Sequence, residues 1–282
     1  MGNPLPGTVV PTSSLVTPGG PQGPSGASAA IVTYGASGLA PGFNQRLQLR
    51  SDFTEPLNGN VTANTYASYG SIPWYVNQTG GGNGGGIGNT SNGIDIFNKA
   101  YGVWYLNSGG TNAQYTVITP PIQLFASGLG ALDIYFRIAF GRINTSGNLF
   151  NNFIGISDGT GTYQNSVFLW MRWDSGVSNN TWVGYCAKAN VSSTTAGSQT
   201  PAIVAFSSSA LTYYNCQISI NAAWTSVSFY VNNVLIGTLT TNIPAAGTLM
   251  FPWIFVQMGS LGASQASLYV DDYFLDYQYA LP

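Results

Sequence analysis

Residues 132–140 read Leu-Asp-Ile-Tyr-Phe-Arg-Ile-Ala-Phe. In an extended chain Ile134, Phe136, Ile138 and Phe140 face one way, while Asp133, Tyr135, Arg137 and Ala139 face the other. A period of two is that of a strand with one buried face, because successive side chains point to opposite sides of a sheet. Val167–Trp173 keeps the same period, with Val167, Leu169, Met171 and Trp173 against Phe168, Trp170 and Arg172. Both of its faces are largely apolar, which predicts a strand covered on both sides. Outward from these two, strands are read at Arg46–Arg50, Tyr101–Leu106, Thr181–Ala189, Gln217–Ile220, Ser226–Val231, Val234–Thr240, Trp253–Met258 and Ser267–Tyr277. Asn232-Asn233 between two of them is a pair that tolerates positive φ, and so predicts a hairpin. No stretch of about ten residues carries a helical period. Many short strands with Gly and Asn turns predict an all-β sandwich or barrel.

The composition narrows the function. Charged residues make up 6% of the 282, where a soluble domain carries roughly a quarter. Two Lys and five Arg are scattered along the chain, so clustered phosphate contacts, and with them nucleic-acid partners, are excluded. There is no His, which removes Ser-His-Asp and Cys-His catalysis and the usual zinc ligand. No apolar run is long enough to cross a membrane as a helix, and the first ten residues carry no basic start of a signal peptide. No cofactor is expected. With 17 Tyr, 14 Phe and 7 Trp the chain has ample apolar surface for a core. Two readings stand for Cys186 and Cys216: a disulfide if they lie on neighbouring strands, or two buried free thiols.

Residues 1–44 differ from the rest, with Pro4, Pro6, Pro11, Pro18, Pro21, Pro24 and Pro41, many Gly and no charge. Such a segment is expected to run extended as an anchoring arm, leaving 45–282 as the sandwich. Within it Gly20, Gly23 and Gly26 head three Gly-X-Y triplets, with Pro21 and Pro24 at X. That register is what a triple helix needs, and it predicts a homotrimer joined through the arm; a linker falling into this period by chance is the alternative. Gly80–Gly88 lacks the Lys and Ser/Thr of a phosphate loop and reads as a glycine-rich loop.

The C-terminal part carries an order of parts that invites comparison. It runs Val227-Ser228-Phe229-Tyr230-Val231-Asn232-Asn233-Val234, then Asn242-Ile243-Pro244, then Pro252-Trp253-Ile254, then Leu268-Tyr269-Val270-Asp271-Asp272-Tyr273-Phe274-Leu275. It resembles the concanavalin A-like jelly-roll domains of bacteriophage structural proteins; Gly102–Leu106, Phe140–Arg142 and Phe153–Asp158 also fit their order. Asn233 stands where that family often has Gly. The resemblance implies a non-enzymatic virion protein on the particle surface, as capsid decoration (cement) or a fibre component. Its partner would then be the major capsid protein or another virion protein. The alternative it implies is a glycan-binding receptor-recognition module of a phage tail, with a host surface glycan as ligand.

Glycanases of this fold set catalytic carboxylates on one strand as E-x-D-x-x-E, about 5 Å apart. Here the single Glu, Glu55, precedes the strands, so no catalytic residue is assigned. Asp271 and Asp272 are adjacent and in a regular strand would point to opposite faces, whereas Asp272 and Asp276 would share one. Hydrogen bonding to loop amides is expected for them. Asp158 before Gly159 reads as a turn residue; a calcium site there would need further oxygen ligands. Trp170, Trp173, Trp182 and Tyr185, with Tyr213 and Tyr214, are either a stacking platform for sugar rings or ordinary core and interface aromatics.

Overall fold

The alternating runs form strands throughout the computed structural model, which describes residues 45–51, 65–69, 72–79, 104–107, 115–120, 123–142, 150–159, 164–174, 179–204, 212–258 and 267–279. The arm, with Gly20, Pro21, Gly23, Pro24 and Gly26, and the 80–88 loop lie outside these residues. In chain order the strands are β1 (Gln45–Ser51), β2 (Thr65–Tyr69), β3 (Ile72–Thr79), β4 (Trp104–Asn107), β5 (Tyr115–Thr119), β6 (Phe125–Ala126), β7 (Gly130–Arg142) and β8 (Phe150–Ser157). There follow β9 (Ser166–Asp174), β10 (Asn179–Lys188), β11 (Val191–Thr194), β12 (Tyr213–Ile220), β13 (Val227–Val231), β14 (Val234–Leu239), β15 (Leu249–Met258) and β16 (Ser267–Tyr279). No helix occurs among the described residues.

Two antiparallel sheets face each other. The first runs β1-β16-β7-β12-β13-β14, with β4 also on β16; the second runs β11-β10-β9-β8-β15-β5-β3-β2, with β6 also on β15. The central strand β7 places Ile134, Phe136, Ile138 and Phe140 in the core and leaves Tyr135 and Arg137 exposed, as the alternation predicts. Opposite them β9 contributes Val167, Leu169 and Met171, while its other face carries Phe168 and Trp170 into a second apolar cluster. The β13–β14 hairpin turns on Asn232 (φ 49°) and Asn233 (φ 64°), the doubly left-handed pair of a type I′ turn.

Packing between the sheets is close. A Cβ at Gly184 of β10 would meet the Phe229 ring at 2.2 Å, so the absent side chain is what lets β13 lay an aromatic ring on the opposite backbone. Polar tips buried in the core find partners across it: Trp74 Nε1 donates to Ser51 Oγ at 2.7 Å, and Tyr273 Oη donates to the Gly155 carbonyl at 2.9 Å. Each large apolar side chain so buried is worth about 1.5–3 kcal/mol, and these hydrogen bonds keep the aromatic hydroxyl and indole groups from offsetting that gain. Asn152 is an exception among the described residues. It sits on the inner face of β8 at 2% exposure, beside a cavity of about 10 Å³ lined by Phe140, Ile154, Met171 and Trp182, and neither side-chain amide atom has a hydrogen-bond partner. Cys186 and Cys216 are free thiols, both buried, and burial pushes both up in pKa, so neither is a reactive thiolate.

Candidate functional site

Seven of the chain's sixteen charged side chains stand together on one surface. Three arginines (Arg46, Arg50, Arg137) and four aspartates (Asp133, Asp271, Asp272, Asp276) stand on the outer face of the first sheet. Their placement follows from strand parity. Leu47 and Leu49 point inward on β1, leaving Arg46 and Arg50 outside; Phe136 and Ile138 do the same for Arg137 on β7.

On β16 the parity breaks, and the break builds the site. Val270 pairs with Ile138 and Asp272 with Arg137, so Asp271 is one residue too many: a β-bulge. Leu268 and Val270 before it face the core, and so do Tyr273, Leu275 and Tyr277 after it. Asp271 and Asp272 therefore turn to the same face, against the expectation from regular alternation. They also fall where β16 passes from one neighbour to the other, since β4 pairs as far as Val270 and β1 from Tyr273 onward.

Arginines pair with both aspartates. Arg137 Nη1 donates to Asp271 Oδ2 at 2.7 Å, and Arg50 Nη2 to Asp272 Oδ2 at 3.3 Å. Asp272 and Asp276 share the outer face as expected, and Arg46 grips Asp276 with both Nε, at 2.6 Å, and Nη2. The exposed Arg50–Asp272 and Arg137–Asp271 pairs contribute about 0–1 kcal/mol each, so they do more to orient groups than to hold the sheet. Aromatic rings fix them further. The Arg137 guanidinium lies 4.4 Å from the centre of the Tyr213 ring, a cation–π contact, and Tyr135 stacks on Phe274 at 6.1 Å. Gln217 donates to Asp133 Oδ1 at 3.3 Å and to Tyr135 Oη at 3.2 Å. Burial first, and then the Asp133 and Asp276 charges, raise the Tyr135 phenol; burial and then Asp271 raise that of Tyr213. Both hydroxyls stay protonated and able to donate at neutral pH.

Arg50, Tyr135, Arg137, Asn215, Asp271 and Asp272 line a groove of about 400 Å³ on this surface. Among the described residues it offers planar donors and acceptors side by side next to the Tyr135 ring, with two positive and two negative charges. Convergent polar groups in a concavity of this size are what a small-ligand site requires. Sequence reasoning missed it. Tyr213 stands out in the sequence as an aromatic, but nothing in the spacing brings Arg50, near the start of the described residues, and Arg137, near their middle, to the two aspartates.

The aromatic set picked from the sequence divides differently. Trp182 is 1% exposed and belongs to the core, packed on Phe140 and Tyr214 with Nε1 donating to the Pro201 carbonyl at 2.8 Å; no sugar can stack on it. Tyr214 is likewise buried, its hydroxyl held between the Val204 amide and the Ala202 carbonyl. Trp170 and Tyr185 lie half-buried on the outer face of the second sheet, against Phe153, Phe168, Phe251, Trp253 and Phe255. Trp170 stacks on Phe153 at 5.1 Å and has the Arg172 guanidinium 5.3 Å from its ring centre, which occupies the ring. Tyr185 stacks on Phe168 at 6.1 Å. These rings pack on one another as one aromatic cluster on that face. The Trp173 side chain lies outside the described residues. Asp158 directly follows β8 and accepts from Asn165 Nδ2 at 2.8 Å. No group of three or more His, Cys, Asp or Glu suited to a metal ion exists among the described residues.

No protein-family model matches the sequence, and no curated protein matches it. Solved structures do. The crystal structure of a protein of unknown function from Shewanella oneidensis MR-1 superposes with a TM-score of 0.52 at 14% identity, over 86% of this chain and 90% of that one. The Emp47p carbohydrate recognition domain gives 0.51 at 10% identity, over 82% and 95%. The fold is a concanavalin A-like jelly-roll sandwich. At these identities the likeness is one of architecture, and the site has to be argued from this sandwich's own residues.

Proposed function

We propose that this protein is a non-enzymatic glycan-recognition module, displayed on a bacteriophage particle and carried there by residues 1–44. The observation that carries the glycan reading is the groove on the first sheet. Sugar hydroxyls donate and accept at once, and Asp271, Asp272, Arg50, Arg137 and Asn215 set acceptors and donors at neighbouring positions. Tyr135, 40% exposed, supplies an aromatic face for the apolar side of a sugar ring. Catalysis is no part of the proposal. Asp271 and Asp272 are each engaged by a guanidinium, an arrangement that orients hydrogen bonds, whereas a glycosidase's general acid has to deliver a proton.

Display on a virion rests on the sequence resemblance and on the uncharged Pro/Gly arm with its Gly-X-Y register. Its partner would be the major capsid protein or another virion protein, and the arms would join three copies. A glycan array on the full chain tests the recognition. Binding that disappears in Arg137→Met supports it, and an array without a hit overturns it. Release of reducing sugar from a bound glycan would overturn the non-enzymatic part. Mass spectrometry of purified particles and light scattering, expected at about three times 29.7 kDa, test display and trimer.

A further inference from the structure

The groove's charges constrain which sugars it takes. Arg137 faces Asp271 and Arg50 faces Asp272, so among the described residues the two cations and two anions that line it balance. We infer, resting on the glycan reading above, that the site selects uncharged sugars and rejects acidic ones, and that Asp271 and Asp272 set this selectivity. A vicinal diol is satisfied without separating either pair: one hydroxyl donates to the carboxylate while its neighbour accepts from the guanidinium. A sugar carboxylate has no hydroxyl proton to give. It competes with Asp271 or Asp272 for the same guanidinium and lies beside a like charge while doing so, which disfavours it in a partly desolvated groove.

The bulge sharpens this. By turning consecutive aspartates to one face it sets a carboxylate against each of two guanidinium groups contributed by different strands, β1 and β7. Tyr213 lies against the Arg137 guanidinium and Phe274 against Tyr135, which favours the positions that these two groove residues hold. Removing one carboxylate by an isosteric change therefore converts a balanced groove into a cationic one without altering its shape.

The test uses the full chain on an array that pairs neutral oligosaccharides with the same cores carrying sialic or uronic acid. Wild type is expected to bind neutral members at least about tenfold more tightly than their acidic counterparts. Asp271→Asn, checked for an unchanged thermal melt, is expected to lose neutral binding by about tenfold and to gain acidic binding by a similar factor; Asp272→Asn serves as the second variant should the first not fold. Wild type that prefers acidic glycans, or variants whose preference is unchanged, overturns the selectivity and leaves the glycan reading standing. An array with no hit, or binding indifferent to Arg137→Met, overturns the glycan reading and this inference with it.

Discussion

Deleting Asp271 should barely change the stability of the sandwich, whereas deleting Phe274 three residues later should cost several times more. Both remove one residue from the same long strand, so the contrast isolates the bulge. Asp271 is the residue without a place in the β7–β16 register; without it Val270, Asp272 and Tyr273 follow one another in, out and in, and every later core contact keeps its side. The cost is one exposed ion pair with Arg137, about 0.2–1 kcal/mol. Phe274 pairs regularly with Tyr135, and its loss slips the rest of the strand by one. Leu275 and Tyr277, both fully buried, would turn outward at about 1.5–3 kcal/mol each, or about 3–6 kcal/mol together. Asp276 would in turn be driven into the core. Urea denaturation followed by tryptophan fluorescence reads the difference as a shift in midpoint at unchanged slope. Equal losses for the two deletions would refute the bulge, and with it the side-by-side presentation of Asp271 and Asp272.

Two further outcomes follow from the core. Asn152→Leu replaces an amide that lacks hydrogen-bond partners by an apolar group of similar volume beside a small cavity, and should stabilise the protein by about 1–3 kcal/mol, read as a melting temperature higher by several degrees; a lower melting temperature would mean that the amide is satisfied. Burial pushes the Tyr277 phenol up to about 12 from the ordinary 10, so its folded-state pKa lies above its unfolded one. The stability it contributes is complete below pH 10 and is lost as pH rises from there through about 12; denaturation midpoints should fall across that window, and Tyr277→Phe should flatten the fall, whereas an unchanged slope would contradict the assignment.

Where the sequence could be read, the reason was periodicity. The alternation in 132–140 places Phe136 and Arg137 on their correct sides, and the two-sided apolar pattern of 167–173 anticipates that Val167 and Phe168 are both buried, on opposite faces. Asn232-Asn233 announces its turn because few side chains accept positive φ twice in succession. The site was not legible, and the physical cause is specific. A single extra residue at Asp271 inverts the parity on which every facing argument depends, and no residue type in Val-Asp-Asp-Tyr marks the bulge. The arginines that complete the groove arrive through strand order, which pairs β1 at one end of the described chain with β16 at the other. Trp182 shows the converse failure: composition marks it as a stacking candidate, and only the packing of Phe140 and Tyr214 around it reveals a core residue.

The central claim is that the outer face of the first sheet, and not the aromatic face of the second, recognises a glycan. Calorimetric titration of the full chain with an oligosaccharide chosen from the array tests this most directly, comparing wild type with Arg137→Met in the groove and Tyr185→Ala on the other sheet. Arg137→Met is expected to lose at least about tenfold in affinity and Tyr185→Ala to keep the wild-type affinity. Loss of binding in Tyr185→Ala with Arg137→Met unaffected would contradict it.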